Sequence, residues 1–313
     1  MLNRRFLRVK AFQALYSYSR EEGANAAICR KQLLSGLDKT YELYLFLLSF
    51  GVEFKAFLSQ ELETEKAKYI PSSEQISLIQ RLINNQAVAV IENNSAFNKG
   101  LKDYKVLWNN HSDLFRQVWI ELKGHDLLKS YLLIESPSLV DDKNLLAGIL
   151  EWLSADLELF ESFMEDRFVN WEDDQVLVLT TLQKTLQMLK QNTLNILPEK
   201  HKDEEEDLKF VKQLFDECVQ NDKELTILIS AKTQNWDQDR IALVDMILMK
   251  MALCEVLYFP YIPLKVSINE YLELAKLYST PNSHGFINGV LDKVQIELKN
   301  ENKINKLGRG LVN

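Results

Sequence analysis

A shortage of chain-breaking residues constrains this sequence more than any other feature: it has 10 glycines and 6 prolines in 313 residues. Sandwiches and barrels need frequent turns, and so few breakers cannot supply them. Nearly every segment instead repeats its apolar residues at spacings of three and four, the pattern of a helix packed along one face. Over residues 3–18, Leu7, Ala11, Ala14, Leu15 and Tyr18 share one side. Over 28–68, Leu33, Leu37, Tyr41, Tyr44, Leu45 and Leu48 do the same. The pattern predicts an all-α protein. At about 100–200 residues per domain, the length fits one large or two modest domains.

Helix boundaries follow from the punctuation. Pro71 ends the long second segment, and Ser72-Ser73-Glu74-Gln75 opens another helix. Residues 74–134 read as two or three helices interrupted near Asn93–Asn94 and Gly124. After Pro137, Asp141 or Asp142 can cap a helix through Phe163, and a further helix covers about 173–191. Pro198 and Glu199–Asp207 form the clearest linker. The five acids Asp203–Asp207 read as a solvated helix N-terminus, where negative charge suits the helix dipole. Helices are then expected over 207–230, 239–258, 265–278 and 283–298. One internal echo stands out: Asn170-Trp171-Glu172-Asp173-Asp174 matches Asn235-Trp236-Asp237-Gln238-Asp239 at an offset of 65 residues. The same offset sets Asp142 on Asp207, Ile149 on Leu214 and Leu182 on Ile247, a possible partial duplication of 140–190.

The net charge of −8 excludes a wholesale basic surface, so any polyanion site must be local. Cys29, Cys218 and Cys254 have no CxxC spacing, which fits buried free thiols in a reducing cytoplasm. The most apolar run, Leu43–Val52, is too short to span a bilayer, and the N-terminus lacks a signal core, so a soluble cytoplasmic protein without membrane contact is expected. No nucleotide-loop, zinc-protease or nucleophile-elbow motif is present, and His111, His125, His201 and His284 are not at ligand spacing. Catalytic residues, cofactor and metal are therefore all expected to be absent.

Both ends of the chain carry chemistry. Arg4, Arg5, Arg8 and Lys10 give four cations and no acid in the first ten residues. At about 100° per residue, Arg8, Phe12, Arg5 and Tyr16 fall within an arc of about 80°. Guanidinium groups fork onto phosphate, and aromatic rings stack on unpaired bases. The same rings also fit a core stripe. Near the other end, Tyr278 and Pro281-Asn282-Ser283-His284-Gly285-Phe286 form a loop running into a helix N-terminus, with Tyr278 and Phe286 bracketing it. Phe286 also fits a core stripe with Ile287, Val290, Leu291 and Val294. The tail, Lys299 through Arg309, has four basic residues and one acid; it is expected to be flexible and able to assist polyanion binding.

These two ends together resemble the NusB family of transcription antitermination factors. The resemblance rests on Arg4-Arg5, Arg8 and Gln13-Ala14-Leu15-Tyr16, on Ile262-Pro263 and Lys265-Val266-Ser267-Ile268-Asn269-Glu270, on Leu274-Ala275-Lys276, and on Ser283 through Lys293. It implies a NusB-like helical bundle over residues 1–20 and 205–298, a large all-helical insertion over 21–204 after the first helix, and a basic tail at 299–313. It further implies binding of boxA-type single-stranded RNA with NusE, a small-subunit ribosomal protein. The RNA polymerase elongation complex and other Nus factors would be the wider partners, and the outcome processive transcription of ribosomal RNA operons. By motif, the RNA contacts fall on Arg4, Arg5, Arg8, Tyr16, Tyr278, Asn282 and Phe286, and a partner-facing carboxylate on Asp245.

Several positions depart from the family pattern. Phe6 interrupts the arginine run, Asn282 stands where aspartate is common, and Gly285 replaces a larger, often basic, residue. Lys232 stands where a tyrosine can contribute to RNA contact, so that role does not carry over. A helical protein-interaction scaffold that no longer binds RNA is the alternative. Some ribosomal RNA methyltransferases carry a NusB-like domain, but the few residues after the last helix leave no room for their cofactor-binding domain.

Overall fold

The computed structural model describes residues 1–109, 111–233 and 241–307. The chain divides into two compact units, Met1–Leu37 with Lys200–Asn313, and Asp38–Glu199. The described residues form fifteen helices, in chain order α1 (Arg4–Arg20), α2 (Ala26–Lys66), α3 (Ser73–Ile83), α4 (Gln86–Glu92) and α5 (Ser95–Asp103). These are followed by α6 (Ser112–Gly124), α7 (Asp126–Leu132), α8 (Leu139–Ala155), α9 (Glu158–Arg167) and α10 (Trp171–Met188). The last five are α11 (Glu204–Gln220), α12 (Asp222–Ser230), α13 (Leu243–Tyr258), α14 (Leu264–Tyr278) and α15 (Ser283–Asn300). The all-α expectation holds, and the only β-type pairing among the described residues is an isolated bridge between Leu2 and His201.

Short polar side chains set most helix starts by accepting the orphan backbone N–H groups of a first turn. Asn3 accepts from Phe6, Ser72 from Gln75, Asn85 from Val88, Asn94 from Phe97 and Asp203 from Glu206. The acidic run 203–207 is thus a helix N-terminus, as its charge implies. At α8 the cap is Ser138, in a capping box with Asp141, and Asp142 is left to the interior. The helix expected to reach Phe163 stops at Ala155, and α9 follows. Residues 74–134 hold five helices where two or three were expected: the breaks at Asn93–Asn94 and Gly124–His125 fall as expected, and further ones fall at Asn84–Asn85 and between Asp103 and Ser112.

In the unit built from 38–199, Phe46, Phe50, Phe54 and Phe57 line one face of α2 and meet Trp108, Phe115, Phe160 and Phe163. Trp108 stacks on Phe46 at 3.9 Å while its indole N–H donates to Ser49. Buried Asp142 accepts from the Gln86 backbone and the Tyr131 hydroxyl, and buried Asp174 from Thr40 and Asn170. An offset of 65 residues carries the bounds of α8 onto those of α11, and a buried aspartate, Asp142 or Asp207, sits at the same place in each. The second half of the sequence echo, Asn235–Asp239, lies outside the described residues.

The other unit has the almost wholly buried α13 at its centre, with Leu248, Met251, Ala252 and Cys254 fully enclosed. Around it pack α1, α11, α12, α14 and α15, α1 presenting Leu7, Ala11 and Leu15 inward. All three cysteines are free and buried. The units divide at 37/38 and 199/200, whereas the motifs place the boundaries at 20/21 and 204/205; the start of α2 and residues 200–204 pack with the terminal segments. The tail departs from the flexible expectation as far as 307. Lys306 is buried and donates to the carbonyls of Glu255 and Phe259 at the end of α13, and the Leu307 N–H bonds Pro260. Residues 308–313, Arg309 among them, lie outside the described residues.

Candidate nucleic-acid interface

The first three arginines of α1, Arg4, Arg5 and Arg8, each take a different principal carboxylate, although Arg8 also lies 3.7 Å from Glu270, the partner of Arg5. Arg5 faces α14, where Nε and Nη2 fork onto the two carboxylate oxygens of Glu270, each at 2.9 Å. Its side chain keeps 52% of its surface exposed, so a ligand can still reach it. The hydrogen bond and charge of Glu270 raise the Arg5 pKa, and the hydrogen bond from Arg5 leads in holding Glu270 below the usual carboxylate range. Arg4 turns to α11, 3.1 Å from Asp207 and 3.8 Å from Glu206, with its guanidinium 4.5 Å above the Phe210 ring.

Arg8 departs from the expected RNA contact. It is only 3% exposed and forks onto Glu255, which is fully buried, at 2.8 and 2.6 Å. Glu255 also accepts from Ser267 at 2.8 Å and from the Tyr271 hydroxyl at 3.0 Å. Burial pulls the Arg8 pKa down, but the bonds and charge of Glu255 together outweigh it and the net shift is upward. A carboxylate satisfied this fully inside a core is a tie between α1, α13 and α14.

The rings expected to stack do come together. Phe12 lies 6.3 Å from Tyr16 on one side and 5.1 Å from Tyr278, the last residue of α14, on the other. Phe12 is buried and Tyr16 is 40% exposed, so the inner ring props the outer ones. Arg5 lies on the same stripe of α1, eleven residues before Tyr16, or about 16 Å along the helix. The stripe therefore leads from a forked cation to an aromatic ledge and on to the turn before α15. In that turn Asn282 is exposed and makes no side-chain cap bond, and Phe286 is half-buried in the first turn of α15. Arg4 stands off this stripe, beyond Arg8 on the side of α1 that meets Phe210 of α11.

Asp245 also departs from its expected role. It is 5% exposed in the first turn of α13, and it accepts a hydrogen bond from the Ser279 hydroxyl instead of facing outward. Lys232 pairs with Glu297 at 2.8 Å. Glu255, Glu270 and Asp207, the carboxylates that sort the arginines, lie two hundred residues or more from them, and no local pattern pairs them. Among the described residues no group of three or more His, Cys, Asp or Glu side chains is arranged to hold a metal, and no helix is long and apolar enough to cross a membrane.

Residues 175–295 match the model of the NusB family, which takes in α11 to α14 and nearly all of α15. This stretch of the chain is similar to the NusB family. The NusB match starts inside α10 and does not include α1, which joins the matched helices through its packing on α11 and α13. Three curated relatives carry the name transcription antitermination protein NusB. That of Salinibacter ruber is 42% identical over 103 residues, covering 33% of this chain and 64% of the relative. That of Chloroherpeton thalassium is 41% identical over 103 residues, covering 33% and 49%. That of Natranaerobius thermophilus is 37% identical over 89 residues, covering 28% and 64%. The chain thus spans from about half to just under two thirds of the length of these NusB relatives. No solved structure matches it.

Proposed function

We propose that this protein is a transcription antitermination factor that binds boxA-type single-stranded RNA along the Arg5–Tyr16–Tyr278–Asn282 stripe. It acts in the cytoplasm, by binding and not by catalysis. The RNA is held jointly with the ribosomal protein NusE, and the complex joins the RNA polymerase elongation complex with other Nus factors. The observation that carries this reading is the bridge from Tyr16 through Phe12 to Tyr278, which makes an aromatic ledge where the cationic helix meets the turn before α15.

The chemistry suits unpaired nucleotides. Stacking on an exposed ring contributes about 1–3 kcal/mol per base and tolerates any sequence. Phosphate contacts are few, because Arg8 is spent on Glu255 and both Arg4 and Arg5 must leave acidic partners to reach a ligand. Phe286 contributes at the far end of the stripe, and Arg4 adds a cation only to RNA that wraps round α1. Weak intrinsic binding follows, and a second RNA-binding subunit raises it by avidity.

The test is a fluorescence-anisotropy titration of the full chain with boxA-like single-stranded RNA, with and without NusE. Binding that strengthens when NusE is added is the expected result. Capture of NusE with no RNA binding under either condition refutes the RNA assignment and favours the scaffold alternative.

A further inference from the structure

We propose that Asp245 is a positioning residue that sets the shape of the turn between α14 and α15, and through it the placement of Tyr278 and Asn282 against RNA. The proposal rests on the RNA-binding reading above. Four oxygens form a chain. The Ser279 hydroxyl donates to the Asp245 carboxylate. Ser279 Oγ and Ser283 Oγ lie 2.9 Å apart, and Ser283 Oγ lies 2.8 Å from Thr280 Oγ1. An ionised carboxylate only accepts, and a hydroxyl has a single proton to give. The Ser279 hydroxyl is placed to donate to both the Asp245 carboxylate and Ser283 Oγ, and Ser283 shares its other hydroxyl contact with Thr280. Asp245 thereby holds Ser279, and through it Ser283 and Thr280, in one hydroxyl cluster beneath the turn.

The relay is placed to matter. Ser279 caps the C-terminus of α14, its N–H bonded to Ala275, directly after Tyr278. Ser283 is buried at the start of α15, directly after Asn282, and its N–H bonds the Thr280 carbonyl. The two residues tied together by the relay therefore flank the ledge ring on one side and the exposed amide on the other. Hydrogen bonds to a charged acceptor are roughly twice as strong as neutral ones, so Asp245 is the firmest anchor of the chain. It touches no nucleotide itself, being buried beneath the turn.

The experiment measures single-stranded RNA affinity and its salt dependence for full-length Asp245→Ala, Ser279→Ala, the double variant, and the conservative Asp245→Asn and Ser279→Thr, with melting temperatures as a control. Asp245→Ala and Ser279→Ala should each lose about tenfold in affinity at unchanged salt slope, since no phosphate contact is removed. The double variant should lose no more than either single one, because both break the same relay. Asp245→Asn and Ser279→Thr should recover most of the loss, by keeping an acceptor and a hydroxyl. Hydrogen exchange of amides 279–284 should rise in the alanine variants only. Ser283→Ala provides a second break should Asp245→Ala not fold. Wild-type binding with variants within twofold of it, or additive losses, overturns the positioning role alone. A wild-type chain that binds no single-stranded RNA overturns the RNA reading and this assignment together.

Discussion

Replacing Arg8 with methionine removes the guanidinium and keeps much of the stem. Glu255 is then left fully buried with two of its four hydrogen bonds, those from Ser267 and Tyr271. Removing one partner of a buried ion pair costs about 3–5 kcal/mol, because the other charge stays desolvated. The two surviving bonds put the expected loss near the lower end, about 3 kcal/mol. Adding Glu255→Gln removes the orphaned charge, keeps an acceptor for one of the Ser267 and Tyr271 hydroxyls and offers an amide N–H to the other, so the double variant should recover to within about 1 kcal/mol of the parent. The coupling energy is then about 2 kcal/mol or more. Urea unfolding followed by far-UV circular dichroism, with hydrogen exchange of α1 and α13 amides reporting on the affected unit, measures all four corners of the cycle. Because Arg8 takes no part in the interface, the double variant should bind RNA with the parent's salt slope. An Arg8→Met variant within about 1 kcal/mol of the parent, or an additive cycle, would refute the reasoning.

Three further outcomes follow from the same contacts. Glu270→Gln frees Arg5 from a half-exposed ion pair worth about 1 kcal/mol at most, so RNA affinity should rise up to about fivefold in an anisotropy titration. Gly285 is exposed and no atom lies within 4 Å of an added Cβ; Gly285→Lys should steepen the RNA salt slope by about 0.7, and Gly285→Ala should leave it unchanged. Burial, then the charge of Lys200, lowers the His201 pKa below 6.5, against the pull of Asp207 and Glu204. The unfolded chain binds the extra proton first on acidification, so the stability from neutral His201 is present above about 6.5 and lost as pH falls towards the folded value. Neither ring nitrogen makes a hydrogen bond, so His201→Leu should flatten that part of a melting-temperature profile.

The caps explain what the sequence could show of the fold. Asn3, Ser72 and Asp203 each announce a helix start because the capping side chain and the N–H it satisfies are three residues apart. The pair Asn93–Asn94 shows its break in the sequence, whereas Asn84–Asn85 hides one, since asparagine closes one helix as readily as it opens the next. The arginines show the limit of local reading. Arg5 and Arg8 lie in one arc of the helical wheel, and only Glu270 and Glu255, brought from 265 and 247 residues away, leave one at the surface and bury the other. Asp245 turns inward for the same reason, because Ser279 arrives from another helix. Lys306 belongs to a basic-looking tail until the open carbonyls ending α13 claim it. The meeting of Phe12 and Tyr16 with Tyr278 is implied only by the NusB resemblance, since helical spacing fixes the rings of each end but not that the ends meet.

The most direct test of the account is the salt dependence of single-stranded RNA binding by the full chain and its Arg5→Ala and Tyr16→Ala variants. Loss of one phosphate contact should lower the log–log slope of Arg5→Ala by about 0.7. Loss of one stacking ring should weaken Tyr16→Ala by about 1–3 kcal/mol with no change of slope. Parental affinity and slope in both variants would contradict the proposed interface.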